Sequence, residues 1–545
     1  MLFNSYEFIF AFLPLTLAAC YALARFAGPG AAQLWLIAAS LYFYASWNLR
    51  YLPLLLASIL FNYLIARIML HAPPRRRGWL LALAVVVDIG LLAYYKYTNY
   101  FIDTVNVLSG AHLFVATILL PLGISFYTFQ QITLLVDISG GDVAEFRLRD
   151  FGLFVIFFPH LIAGPIVHHR EMMPQFARAT YRFTWPNMAV GATLFAVGLF
   201  KKAVLADGIA NAVLPLYVDA GLHHPQTLIY AWAAAIGFAL QMYFDFSGYS
   251  EMALGLARML GIKLPMNFNS PMKASSIIEY WACWHITLTR FLTAYVYNPI
   301  AMNIVRWRHA RGWKRGPGPR GTVGAAASMI AAPTIMTMFL SGLWHGAGNQ
   351  YLVFGLLHGA YLTINHFWRL YRPCFWPDTA SHDRVMRPVG LGLTLVGAAV
   401  ALTYFHADSV RSGNNIIAGM LGLHGVALPD VIDSRLHGLA VLLAHAGVVF
   451  RPLPLPTLLT LYGWIAVLLA VALIPPNILQ IMYAHEPAIT MPLPYDKDRR
   501  LAPLRTFWQR IHWRPSTPWA ITAAALSACG ILALNQVTAF LYWQF

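Results

Sequence analysis

Apolar runs, many of them close to the roughly 20 residues a helix needs to cross the hydrocarbon core, recur along this chain between short polar or basic segments. Such runs lie near 8–27, 33–49, 52–70, 79–95, 113–136, 150–167, 187–205 and 226–246, and then near 322–343, 350–369, 388–405, 437–450, 457–475 and 518–541. The pattern predicts roughly 11 to 14 membrane helices. The first run has no basic stretch before it and is followed at once by another apolar run, so it reads as a retained helix and not as a cleaved signal. Pro and Gly interrupt the apolar sequence around 151–165 and 261–271. Short re-entrant helices are expected there, because broken backbone at membrane depth is tolerated only inside protein.

Composition agrees with the pattern: the chain is 59% hydrophobic and only 11% charged, where a soluble domain carries about 25% charged residues. The fold class expected is an all-α polytopic membrane protein with no sizeable soluble domain. The formal net charge of +16 changes the picture only in sidedness, because the basic residues sit in short loops. Those loops are Arg75-Arg76-Arg77, the segment holding Arg306, Arg308, Arg311, Lys314, Arg315 and Arg320, and the run from Lys497 to Arg514. All three are expected on the cytoplasmic side, which puts both termini outside. A nucleic-acid partner is not expected. Cys20, Cys283, Cys374 and Cys529 show no CxxC spacing, so no metal site and no disulfide framework is indicated. No Walker loop, strand-linked GxGxxG or HExxH occurs, which weighs against an ATP-driven pump and a zinc protease.

Polar groups placed inside apolar sequence are costly and mark cavities, pathways or reacting centres. One cluster runs from Tyr243 to Glu251, where Asp245 and Glu251 follow a long apolar run and Ser247 to Tyr249 break it. Another is Asn267-Phe-Asn269-Ser-Pro271, leading into Trp284-His285. The last is Leu343-Trp344-His345-Gly346-Ala-Gly-Asn349, followed by His358-Gly359. His345 ends an apolar run, has small residues beside it, and carries an imidazole, the usual general base near neutral pH. A lone histidine at a helix end is more often an interfacial residue, and His358 and Asp245 each have a packing explanation, the latter as partner of a buried arginine such as Arg258.

Taken in order, these segments resemble the membrane-bound O-acyltransferases. They are most similar to the bacterial branch that includes the membrane subunit of alginate O-acetylation and the D-alanyl transfer protein of teichoic acids. The resemblance rests on Pro121-Leu-Gly-Ile-Ser-Phe-Tyr-Thr-Phe129, Phe158-Pro-His-Leu-Ile-Ala-Gly-Pro-Ile166 and Gly198-Leu-Phe-Lys-Lys-Ala-Val-Leu-Ala-Asp207. It continues through Phe244-Asp-Phe-Ser-Gly-Tyr-Ser250, Asn267-Phe-Asn-Ser-Pro271, Trp284-His-Ile-Thr-Leu288 and Gly342-Leu-Trp-His-Gly346. Residues 1–370 form the expected catalytic membrane core, and 371–545 are expected to complete the same domain with further helices. This chain departs from many relatives at Ala282-Cys283 and Thr293-Ala294, and its segment 302–321 is longer and more basic.

The resemblance implies a helical bundle around a central tunnel, with His345 as the catalytic histidine and His285 as the second signature position. His358, Trp344, Asn267, Asn269, Asp245, Ser247, Tyr249 and Glu251 are expected to support the site or line the tunnel. It also implies a multi-pass protein of a bacterial inner membrane with no bound cofactor and no metal. The acyl donor would be acetyl-coenzyme A or another acyl thioester, and the acceptor an extracytoplasmic polysaccharide, reached directly or through a periplasmic acetyltransferase. The rivals are D-alanyl transfer from a carrier protein and a polytopic transporter, the latter weakened because no inverted repeat is visible.

Overall fold

The protein is described by a computed structural model covering residues 1–545 apart from 115–116, 144, 314, 320, 437, 453–454, 492–510, 535–540 and 542–545. It is all-α and polytopic. Among the described residues, 8 helices are long and apolar enough to cross a membrane. Several other predicted runs form shorter helices, among them Pro29–Ala45, Ile124–Gly140 and Thr517–Leu532. The run near 437–450 is not a spanning helix: it divides into a short helix, Gly438–His445, and a strand, Val448–Arg451, paired in parallel with Val426–Pro429. The loop from Lys497 to Arg514 lies largely outside the described residues.

The helices differ in how much of their apolar surface the protein itself covers. In Leu228–Met259, 72% of the apolar window is buried, against 17% in Pro74–Ser109; the first is central and the second faces outward. Leu228–Met259 packs along Trp185–Gly221 because glycines let the two backbones meet. A Cβ on Gly198 would stand 2.4 Å from the Gly248 carbonyl oxygen, and one on Gly191 2.6 Å from that of Gly255. Both pairs repeat after seven residues, about two helical turns, so the contact follows one stripe on each helix, as small-residue interfaces do in membranes. Ser247 to Tyr249 break the apolar run, whose expected end was near 246. The helix instead continues through Ser247, Gly248 and Tyr249 to Met259, since the residue that reads as a breaker is here the contact point.

The interruptions at 151–165 and 261–271 take two forms. Leu148–Ile156 and Phe158–Leu161 are short buried helices separated at Phe157, as re-entrant segments should be. Residues 262–276 form no α-helix, only one 3-10 turn at Pro271–Lys273 before the short helix Ile277–Cys283. Their backbone is held inside protein by distant chain. Ile489 N–H donates to the Leu264 carbonyl (3.0 Å), and Asn477 Nδ2 donates to Asn269 Oδ1 (3.0 Å) and Ser270 Oγ (3.1 Å). At the rim Lys263 pairs with Glu486 at 2.7 Å, and its hydrogen bond and charge hold the Glu486 carboxyl below the usual range.

Candidate active site

The helix Val323–His345 ends at His345 and the chain turns back at once into Asn349–Phe375. The hairpin is tight because Gly342 and Gly355 face each other: a Cβ on Gly342 would be 2.3 Å from the Tyr351 carbonyl oxygen, and one on Gly355 2.4 Å from that of Met338. Gly346 is needed for the same reason, as a Cβ there would enter the Tyr351 ring at 2.2 Å. A helix that ends inside protein leaves its last carbonyls without intrahelical partners. Here the Pro74–Ser109 helix supplies them: Tyr97 Oη donates to the Leu343 carbonyl at 2.6 Å and Lys96 Nζ to that of Trp344. Lys96 is buried and lies 5.9 Å from the Trp344 ring centre. Its hint in the sequence was a single lysine at the end of an apolar run, and sequence reasoning passed over it.

His345 is buried at 5% exposure, its ring 4.8 Å from Trp344, 5.5 Å from Phe354 and 5.1 Å from Phe405. His285 approaches from the other side of Trp344, at 6.3 Å between ring centres. It begins the helix Ile286–Leu292 in a left-handed conformation, φ 44°, uncommon for a residue with a side chain. The conformation is set by the broken loop, since Ile286 N–H donates to the Asn267 carbonyl at 3.0 Å. The Asn267 side-chain oxygen accepts from Thr287 N–H (3.3 Å) and Thr287 Oγ (2.9 Å), and His285 Nδ1 lies 3.0 Å from it. An amide oxygen can only accept, so Nδ1 carries the proton and the lone pair of neutral His285 is on Nε2.

His358 is held differently. Trp281 Nε1 donates to its Nδ1 at 3.2 Å, so that nitrogen is an acceptor and the proton of the neutral ring is on Nε2. Phe354 stands between His358 and His345, with ring centres 4.7 Å and 5.5 Å away. Tyr361, 5.9 Å from His358, also lines a cavity of about 1340 Å³ together with Asn365, Arg369, Arg372, Arg384 and Arg387. The Arg372 Nη1 is buried with no hydrogen-bond partner among the described residues.

The structure thus gathers His345, Trp344, His285, Asn267 and His358. Asn269 faces Asn477 instead. Asp245 and Glu251 point toward Trp185–Gly221, where Lys202 reaches both Asp245 (2.6 Å) and Asp207 (2.8 Å), and Lys201 reaches Glu251 (2.5 Å). Lys202, and not Arg258, is the partner of Asp245. Ser247 is buried in the same helix, and Tyr249 stacks on Phe3 at 4.8 Å. From this stretch it is Phe246 that meets the histidines, edge-on to His285 at 4.8 Å. A further group of carboxylate and imidazoles escaped sequence reasoning because Asp137 lies 32 positions before His169: Asp137, His168 and His169 converge at the end of the Ile124–Gly140 helix.

Comparison with known proteins completes the description. A profile of the membrane-bound O-acyltransferase family matches residues 144–308. A peptidoglycan O-acetyltransferase of Helicobacter pylori is 36% identical over 459 residues, covering 78% of this chain and 81% of the relative. A probable alginate O-acetylase AlgI of Azotobacter vinelandii is 36% identical over 450 residues, covering 81% and 82%. A teichoic acid D-alanyltransferase of Bacillus subtilis is 27% identical over 250 residues, covering 45% and 59%. With its helical membrane fold and this likeness over most of its length, the chain belongs to the membrane-bound O-acyltransferase family and is an O-acyltransferase.

Proposed function

We propose that this protein moves an acetyl group from a cytoplasmic thioester, such as acetyl-coenzyme A, to a hydroxyl of an extracytoplasmic glycan, directly or through a periplasmic acetyltransferase. The setting is a bacterial inner membrane, with both termini outside. His345 is the general base. It takes the proton of the acceptor hydroxyl as that oxygen attacks the thioester carbonyl, and returns it to the thiolate when the carbon–sulfur bond breaks. Trp344, whose indole N–H can only donate, meets the carbonyl oxygen as it gains charge. A preorganised donor of that kind is worth about 3 to 4 kcal/mol. His285, oriented by Asn267, holds the geometry around it. His358 is less suited to act as base through Nδ1, since that lone pair already accepts from Trp281.

The observation that carries this reading is the cavity rimmed by Arg369, Arg372, Arg384 and Arg387, whose wall reaches Tyr361 beside His358. Guanidinium groups suit the phosphates of a nucleotide-bearing or phosphopantetheine thioester, and they stand on the side of the basic loops: Leu370 contacts the Gly318 position of the loop after Arg311. O-acetyl transfer is favoured over D-alanyl transfer because the O-acetylating relatives match about four-fifths of the chain and the D-alanyltransferase less than half. A transporter reading loses its main support, since Asp245 and Glu251 are occupied by lysines.

The test is the acyl content of the extracellular glycan in a deletion strain complemented with each variant, with membrane protein level as control. His345→Ala should lower transfer by roughly 10²- to 10⁴-fold at unchanged protein level. With purified protein and a labelled acetyl thioester, Arg372→Ala should raise KM about 10-fold or more, the loss of one charge-assisted hydrogen bond. Normal acylation by His345→Ala would remove the assigned mechanism.

A further inference from the structure

We propose that Asp137, His168 and His169 form a binding site for one divalent transition-metal ion of the zinc class. His169 Nε2 lies 2.8 Å and His168 Nε2 3.1 Å from the same oxygen, Asp137 Oδ2, and the three ligand atoms lie within 4.8 Å of one another. Ligands at 2.0–2.2 Å from a tetrahedral zinc ion are separated by about 3.3 Å, so both histidine–aspartate separations are already close to coordinated ones. Two imidazole nitrogens and one carboxylate oxygen are a donor set for borderline metals such as zinc, with a fourth position left for water.

The site has a built surround. His169 is buried, and Asp137 and His168 are partly so. Tyr295 Oη is 2.8 Å from His168 Nε2 and 3.3 and 3.4 Å from the two Asp137 oxygens. Arg170 Nε stands 3.6 Å from Asp137 Oδ2, while its other end pairs with the exposed Asp142 at 3.0 Å. Three nitrogen groups therefore converge on a single carboxylate oxygen. His168 Nδ1 now accepts a long 3.3 Å bond from Arg170 N–H; ligation through Nε2 moves the ring proton to Nδ1 and gives up that contact, and it exchanges the Nε2–H contacts to Tyr295 and Asp137 for the metal bond.

The ion would join the end of Ile124–Gly140 to the start of His169–Arg178, and a third segment, Thr293–Tyr297, would hold its ligands through Tyr295. Two of them form a wall of the active centre. Phe129, on the helix of Asp137, stacks on Phe291 at 4.5 Å and on Trp344 at 5.8 Å, and Phe291 lies one turn before Tyr295. The site would thus be a clamp at one end of the wall whose other end carries Trp344.

The experiment uses full-length protein purified in detergent through a tag without histidines. After chelation it is titrated with Co²⁺, followed by visible absorption, and reloaded with Zn²⁺ for metal analysis and thermal unfolding. Wild type should take up about one equivalent and unfold at a higher temperature when loaded. Asp137→Asn and His169→Gln, which retain hydrogen-bonding side chains, should bind on the order of 100-fold more weakly or worse, beyond the 10- to 100-fold effect of outer partners. A His71→Ala control should bind as wild type. Absence of saturable binding by wild type overturns the proposal, as does equal binding by wild type and Asp137→Asn. The readout needs no acyl transfer, so it stands or falls separately from the proposed reaction.

Discussion

Asn267 has no chemistry of its own to offer acyl transfer, yet its side-chain oxygen fixes both the tautomer and the direction of His285. Asn267→Ala should therefore leave protein level near normal and slow transfer by about 10²-fold, the scale of a small misplacement at a reacting centre, with kcat falling more than KM. Equal losses in folding and rate would show a purely structural role. At this scale the sequence was informative where a residue type has few uses. His345, His285 and Trp344 stand out as polar or aromatic groups in wording shared with a family, and the structure brings them together. Asp245 and Glu251 stood out equally, but their surroundings depend on Lys201 and Lys202, which lie 50 and 43 positions away from them in the chain. No local pattern distinguishes a carboxylate held by lysine from one facing a pathway. Lys96 was missed for the converse reason, since its use as a cap for another helix's carbonyl is a tertiary fact.

Helices were legible wherever one apolar run filled one span, as in Leu228–Met259 and Val323–His345. The first was expected to end at about 246, because Asp245, Ser247, Ser250 and Glu251 end the apolar run, whereas the helix continues to Met259 with those groups packed inside protein. The interface between Trp185–Gly221 and Leu228–Met259 is closed by glycines and by the ion pair of Lys201 with Glu251. Both side chains are largely buried, at 14% and 9%, so Glu251→Gln leaves a lysine without its partner. It should destabilise the protein by about 3 to 5 kcal/mol, while Glu251→Gln with Lys201→Met should recover most of that. Detergent-solubilised thermal unfolding measures both. A double variant no better than the single one would show that the pair is not what holds the interface. The 261–271 stretch was expected to hold a short helix and does not: its backbone bonds go to Cys283, Ile286 and Ile489, and Asn477 holds its side chains, partners that no window of sequence links to it.

For the whole molecule, the alternating direction of the helices puts Arg76, the Arg311 loop and the arginine-rimmed cavity at one end, with the turn after His345 toward the other. On the sidedness proposed from basic-loop bias, the first end is the cytoplasmic one. Arg311→Cys in a cysteine-free background should react with an impermeant thiol reagent only after the cells are opened, and Leu423→Cys, exposed at the other end, in intact cells. Labelling of position 311 from outside would reverse the assigned sidedness and with it the location of the thioester.

Leu541 N–H donates to Asp245 Oδ2 at 3.1 Å, and Lys273, Asn269 and Leu264 bind partners at 475, 477 and 489. In the order of synthesis, Asp245 therefore waits nearly three hundred residues for its bond from Leu541. Until then Asp245 relies on Lys202, and the loop that orients His285 lacks its staples. The loop that orients His285 is thus the part of the reacting centre that gains its supports last, since Asn477 and Ile489 follow every signature histidine in the chain.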